Sequence, residues 1–378
     1  MNSINTSTLI IGAGPAGLAT AARLRKMNIP FEVIEQTDKI AWSWHNHYDR
    51  LHLHTVRQLS ALPHLPLPAE YPTYVPRKKL VDYYLNYAKQ FDIQPHFNET
   101  ATSVKRDGAK WQVTTAKGTS YSAENVVIAT GVNRVPHYPS WEGMDTYKGQ
   151  LIHSRNYKNP KPFEGHKVLV IGMGNTGAEV ALDLAEHGLE TYISVRSPIN
   201  VVPRDVNGRP VQLTAQTLSK IPFGLGDWLG TQIRKRIIGD LSKYGVPMSD
   251  LPPAVQLREE GRTPVIDVGT VAYIKSGKIK VLADVSRFHE AGVLIKNGEK
   301  HDFDSVILAT GYHAKVTDFI EGIEGFLDKY QVPKKAIGEG QQKGLYFVGF
   351  DNHKLGGILG TIFNDSETVA NDIYEGEL

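Results

Sequence analysis

A strand, a glycine turn and a helix occur twice in this chain, and that repetition constrains the fold more than any other feature. The first copy is Thr8-Leu-Ile-Ile-Gly12-Ala-Gly14-Pro15-Ala16-Gly17-Leu-Ala-Thr-Ala-Ala. Apolar Leu9 to Ile11 read as a buried strand and the Ala/Leu run as a helix, with G-x-G-x-x-G between them. The first glycine permits a tight turn, the second lets the backbone approach a pyrophosphate, and the third lets helix and strand pack closely. The helix N-terminus offers N–H donors and a positive dipole end to an anion, and Pro15 suits a first helical turn. The second copy is Lys167-Val-Leu-Val-Ile-Gly172-Met-Gly174-Asn175-Thr176-Gly177-Ala-Glu-Val-Ala-Leu, at an offset of 160 residues (172 − 12).

The halves also end alike. Val126-Val-Ile-Ala-Thr130-Gly131 and Val306-Ile-Leu-Ala-Thr-Gly311 are apolar strands running into Ala-Thr-Gly, each preceded by a hairpin-like stretch, Trp111 to Thr115 and Gly292 to Ile295. An internal duplication of this kind implies an α/β chain with two Rossmann-like dinucleotide-binding domains, in the two-domain arrangement of glutathione reductase. The expected boundaries are 1–160 for the first part of one domain, 161–311 for the other, and 312–378 for the return to the first. Residues 205–265 stand out from the compact repeat as a candidate lid or oligomer contact; within them Ile221 to Pro253, rich in Gly and Pro, reads as irregular.

The two copies differ where the ribose is read. The strand Phe31-Glu-Val-Ile-Glu35, with Gln36 after it, ends in a carboxylate about 20 residues beyond the glycines, the place for an acid that bonds ribose hydroxyls. The strand Glu190-Thr-Tyr-Ile-Ser-Val-Arg196, followed by Ser197, ends instead in a base and a hydroxyl, which suit a 2′-phosphate. FAD in the first half and NADPH in the second follow from that difference. Against it stands the reading of Arg196 as a solvated strand end.

Composition removes other classes. With 42 Lys+Arg against 40 Asp+Glu, there is no net field to hold nucleic acid or an acidic membrane. There is no cysteine, which excludes disulfide exchange, zinc–thiolate and iron–sulfur sites and every Cys nucleophile. No stretch approaches the ~20 apolar residues of a membrane span, and the N-terminus lacks a secretion signal, so a cytoplasmic protein is expected.

Between the halves lies Tyr147-Lys-Gly149-Gln-Leu-Ile-His153-Ser-Arg-Asn-Tyr157. It resembles the linker fingerprint F-x-G-x-x-x-H-x-x-x-W/Y of class B flavin-dependent monooxygenases, the flavin-containing monooxygenase family, with Tyr147 in place of Phe. Tyr48-Asp-Arg-Leu-His-Leu-His54, Ile199-Asn-Val-Val-Pro-Arg204, Thr263-Pro-Val-Ile-Asp-Val-Gly269 and Gly344-Leu-Tyr-Phe-Val-Gly349 look closest to the YUCCA-type branch. The resemblance implies that NADPH reduces FAD and that dioxygen yields a flavin peroxide or hydroperoxide. That species passes one oxygen atom to a small organic substrate, an amine or thioether on one hand or a carbonyl such as the 2-oxo acid indole-3-pyruvate on the other. Where several family members carry an Asn facing the flavin, this chain has His54, which the resemblance makes the catalytic candidate; the competing reading is a satisfied loop histidine. Trp44 falls where the family's loop places a Trp against the flavin; the competing reading is a Trp that fills core. The end of the chain lacks the hydrophobic tail of the family's membrane-anchored animal members, so a soluble protein is expected, and a homodimer stays open.

Other groups have plainer readings. His45, His47, His52 and His54 lack the acid or thiol spacing of a metal site, so no metal is expected. Tyr83, Tyr84, Tyr87 and Phe91, on a helix from Lys79 to Phe91, form a stripe expected in the core. His153 and Tyr157 read as architectural, with contact to NADP as the competing reading. The competing function is an NAD(P)H:acceptor reductase of quinone type on the same scaffold; the linker fingerprint argues against it.

Overall fold

In the computed structural model, which describes residues 3–221, 224–351 and 356–377, the strand Ser3–Ile11 runs along the middle of a sheet. The strand order is His96–Phe97, Phe31–Glu35, Ser3–Ile11, Ser120–Ile128, Lys110–Thr115 and Ala101–Asp107. Leu345–Phe347 also pairs with Ser120–Ile128, in parallel. The central pairs are parallel and the Lys110–Thr115 and Ala101–Asp107 pair is an antiparallel hairpin, as the sequence suggested. Leu9, Ile10, Val126, Val127 and Ile128 are fully buried, which is why these strands read as continuous apolar runs and not as alternating ones.

The second unit repeats this plan. Its five-stranded sheet is parallel throughout, in the order Ile279–Leu282, Glu190–Ser194, Lys167–Ile171, Ser305–Leu308 and Gln150–His153. Gly292–Ile295 lies in a three-stranded antiparallel sheet, the counterpart of the first unit's hairpin. The glycine-turn helices are Pro15–Lys26 and Asn175–Glu186.

The aromatic stripe is core. On the helix Arg77–Gln90, Tyr84 and Tyr87 are fully buried, and the hydroxyls of Tyr83 and Tyr87 donate to the carbonyls of Leu65 and Pro63, tying down the Pro-rich segment. The last helix, Gly357–Glu377, packs on Pro15–Lys26, with buried Arg23 donating to Ser366 Oγ and Glu367.

The chain divides into two compact units. One holds the residues up to Asn46, Thr55–Val135 and those from Tyr312 onward; the other holds His47–His54 and Pro136–Gly311. The expected division at 160 therefore moves to 135, because Gln150–His153 pairs with Ser305–Leu308 in the second sheet. His47–His54, expected in the first domain, belongs to the second for reasons given below. The stretch Ile221 to Pro253, expected to be irregular, contains the helix Leu225–Ile238; Pro222 and Phe223 of that stretch lie outside the described residues, as do 352–355 and Leu378 of the last segment. Among the described residues no helix is long and apolar enough to cross a membrane.

Candidate active site

Both glycine turns have the same geometry for the same steric reason. Gly12 (φ +113°) and Gly172 (φ +105°) lie where a Cβ would come within 2.6 Å of the Ala129 carbonyl oxygen and 2.5 Å of that of Ala309. A Cβ on Gly17 or Gly177 would lie 1.9 Å from the carbonyl oxygen of Gly12 or Gly172. Gly14 and Gly174 are different: an added Cβ would meet nothing within 4 Å. They are the N-caps of the two helices, and neither helix has a side-chain cap or an acid in its first turn. Two uncapped helix N-termini behind glycine-lined backbone fit the pyrophosphates of two dinucleotides. Pro15 occupies the first helical turn, Ala16 is buried behind it, and Thr176 is half-buried. The Asn175 side chain is committed within the protein, donating to Pro264 O (3.3 Å) and accepting from Ile266 N (2.7 Å).

Glu35 is buried at its strand end. Its carboxylate accepts from Ala13 N (2.9 Å), Thr37 N (3.0 Å) and Thr37 Oγ1 (2.8 Å), so it stands directly behind the first glycine turn. In the second unit the equivalence shifts by one residue from that expected. Gly12 N donates to Ile34 O and Gly172 N to Ser194 O, which aligns Glu35 with buried Val195, Gln36 with Arg196 and Thr37 with Ser197. Gln36 and Arg196 are both exposed, and Arg196 makes no hydrogen bond or ion pair with any described residue.

The Ala-Thr-Gly repeats diverge too. Thr310 Oγ1 donates to His137 O (2.5 Å), whereas the Thr130 hydroxyl is buried without a partner among the described residues, beside Gly131 (φ +76°). An orphaned hydroxyl at the end of the strand next to the first glycine turn fits a polar ligand there. In the same unit half-buried Trp44 meets Tyr84 edge-on at 6.0 Å, and Arg77 bonds the carbonyls of Trp44 and His45. The His45 Nε2 is buried without a partner among the described residues, and burial with nearby Lys39 and Arg77 holds the ring below the usual imidazole range.

His47–His54 belongs to the second unit because it is bound to one face of the helix Asn175–Glu186. Arg50 pairs with Asp183 (3.3 Å) and Glu186 (2.8 Å), and His54 Nε2 lies 2.5 Å from Glu179 Oε1. Residues 179, 183 and 186 are spaced i, i+4, i+7, one helical face. Tyr48 packs in the second unit's core, and Asp49 N donates to Lys158 O (2.8 Å). Tyr157, buried, donates to Asp183 Oδ2 (2.7 Å); buried His153 bonds Gly311 O through Nε2 (3.1 Å) and accepts Arg155 N at Nδ1 (3.1 Å). Both linker residues are thus spent on internal bonds. No group of three metal-ligating side chains occurs among the described residues, with His52 Nδ1 on Arg50 O and His47 Nδ1 on Tyr48 N. Glu179 is the residue that sequence reasoning passed over; the signal was its place at the offset of 160 from Ala19.

Residues 8–338 match the flavin-binding monooxygenase-like family. The chain is similar to the probable indole-3-pyruvate monooxygenase YUCCA8 of Arabidopsis thaliana, 38% identical over 97% of this chain and 88% of that one. Its fold is similar to that of a flavin-containing monooxygenase from Stenotrophomonas maltophilia (TM-score 0.76, 18% identity, 99% of this chain and 100% of that one). It is also similar to that of a steroid monooxygenase bound to NADP (TM-score 0.76, 18% identity, 99% and 85%).

Proposed function

Because the chain belongs to the flavin-binding monooxygenase-like family and is a flavin-dependent monooxygenase, we propose that it uses NADPH to oxidise a 2-oxo acid of the indole-3-pyruvate class. The observation that carries the substrate class is the 38% identity, over nearly the whole chain, to a protein named for that reaction. With FAD bound, the flavin would supply the oxygen chemistry, by which a 2-oxo acid, dioxygen, NADPH and a proton become the carboxylic acid one carbon shorter, carbon dioxide, water and NADP⁺.

The chain's own residues bind, orient and shield. In the first unit Gly12, Gly14 and Gly17 open the N-terminus of Pro15–Lys26 to the FAD pyrophosphate, with Pro15 and Ala16 beside it, and Glu35 takes a ribose hydroxyl. Gln36, Thr130 and Gly131 complete that binding site, and Trp44 supplies a flat apolar surface of the kind that covers an isoalloxazine. In the second unit Gly172, Gly174, Asn175, Thr176 and Gly177 do the same for NADPH, while the unpartnered guanidinium of Arg196 and the Ser197 hydroxyl receive its 2′-phosphate. A same-fold monooxygenase bound to NADP supports that half of the reading. His54 is the catalytic residue, an imidazole whose two ring nitrogens can donate or accept a hydrogen bond.

The test is product analysis with purified FAD-loaded protein, NADPH and air. Indole-3-pyruvate is expected to drive oxygen uptake with equimolar release of carbon dioxide, and thioethers and amines are expected to leave that uptake near background. Sulfoxide or N-oxide as the main product, without decarboxylation, would overturn the substrate class.

A further inference from the structure

The carboxylate of Glu179 is out of place by the molecule's own internal standard. At the same position of the first glycine-turn helix stands Ala19, fully buried. In the second helix a side chain only 5% exposed carries a carboxylate two residues past Gly177, and burying a carboxylate is costly unless it is paired. Its partner is His54, Nε2 to Oε1 at 2.5 Å.

That pair is one of several anchors of the segment. Arg50 already binds Asp183 and Glu186, Asp49 is held by Lys158 and Tyr48 sits in the core. What the pair does in addition is select an atom. With Nε2 on a carboxylate, the neutral ring carries its proton there and its lone pair on Nδ1, which bonds no described residue. The charged and titratable groups around the ring are Glu179, Arg50, Asp183 and Glu186, with Tyr157 and His187 on Asp183.

We propose that Glu179 is a positioning residue of the oxidation, which holds His54 by Nε2 and keeps Nδ1 as the nitrogen open to substrate or cofactor. The proposal rests on the reading of His54 as the catalytic residue. It extends the nucleotide turn into the chemistry, since one helix carries both the turn assigned to NADPH and the carboxylate that orients the imidazole.

The tautomer can be read directly, by ¹⁵N NMR of FAD-loaded protein with ring-labelled histidine, His54 being assigned by its loss in His54→Asn. The neutral ring of the native protein is expected to show Nε2 protonated and Nδ1 bare. In Glu179→Met, similar in volume and without an acceptor, the signals should move toward a mixture of tautomers. With indole-3-pyruvate, kcat should fall on the order of ten- to a hundredfold, the range over which carboxylate partners of functional imidazoles act, and KM should stay within twofold. Glu179→Gln, still able to accept through Oε1, should keep the native tautomer and recover most of kcat. Native protein with Nδ1 protonated, or Glu179→Met with unchanged His54 signals, overturns the proposal whatever the substrate. A moved tautomer with unchanged kcat refutes the positioning role while leaving the substrate reading standing. Absence of turnover in the native protein with the expected tautomer intact refutes the substrate class instead.

Discussion

Glu35 has about four acceptor positions and spends three on Ala13 and Thr37, leaving room for one ribose hydroxyl. Glu35→Ala should therefore weaken FAD by roughly 10- to 100-fold, the worth of a hydrogen bond to a charged group, measured by flavin fluorescence on titrating the apoprotein. A dissociation constant within twofold of the native one would remove Glu35 from the binding site. Arg196 is the opposite case, exposed and without a partner among the described residues, so Arg196→Ala should leave stability within about 0.5 kcal/mol. It should cut the kcat/KM preference for NADPH over NADH by about tenfold or more, and an unchanged preference would refute the 2′-phosphate role. The place of Glu35 at a strand end behind the glycine turn was legible in the sequence because it follows from a local spacing. The shift that aligns Val195 with Glu35 was not, because it is set by backbone pairing between strands. Glu179 was hidden for another reason: its partner lies 125 residues away, and an acid on a helix ordinarily reads as solvated.

At the scale of elements, the two glycine turns were legible to the residue because their sterics are covalently local, and the same sterics separate two substitutions that look alike. Gly177→Ala drives a Cβ to 1.9 Å from the Gly172 carbonyl oxygen, so strand and helix must move apart; it should destabilise the second unit by several kcal/mol or prevent folding. Gly174→Ala meets open space, so thermal unfolding should be little changed, while on the proposed NADPH site KM for NADPH should rise at least tenfold, the methyl standing where the pyrophosphate is proposed to approach. Equal effects of the two on unfolding would contradict the assignment. The same reasoning explains why Leu225–Ile238 was misread as irregular. Gly226 is in that helix because a Cβ would lie 2.1 Å from Leu218 O, at a close approach to the helix Val211–Leu218. A glycine required by packing between elements looks, in sequence alone, like a helix breaker.

For the whole molecule, the duplication was legible but the division between units was not, since Gln150–His153 and His47–His54 join the second unit through a strand pairing and ion pairs distant in sequence. His153 ends that strand and ties the unit together with both ring nitrogens: Nε2–H donates to Gly311 O and Nδ1 accepts Arg155 N. Burial, chiefly, holds the ring below the 6.5 of a free imidazole, because protonation would put a charge in the core and take away the Nδ1 lone pair. In the unfolded chain the ring titrates at about 6.5. Its contribution is therefore fully present above that pH and is lost as pH falls below it, where the unfolded state binds a proton that the folded state refuses, at up to about 1.4 kcal/mol per pH unit. A glutamine can imitate both bonds of the neutral ring and cannot titrate. His153→Gln should match the native protein in urea unfolding near pH 8 and be the more stable of the two below about pH 6. The slope that remains belongs in part to His45 and His64 of the other unit, both also held low by burial. If the two units unfold separately, only the transition of Pro136–Gly311 should change, which would assign that transition. Parallel stability curves for the two proteins from pH 8 to 5 would show that His153 is accessible to protons in the folded state and does not couple the unit to pH.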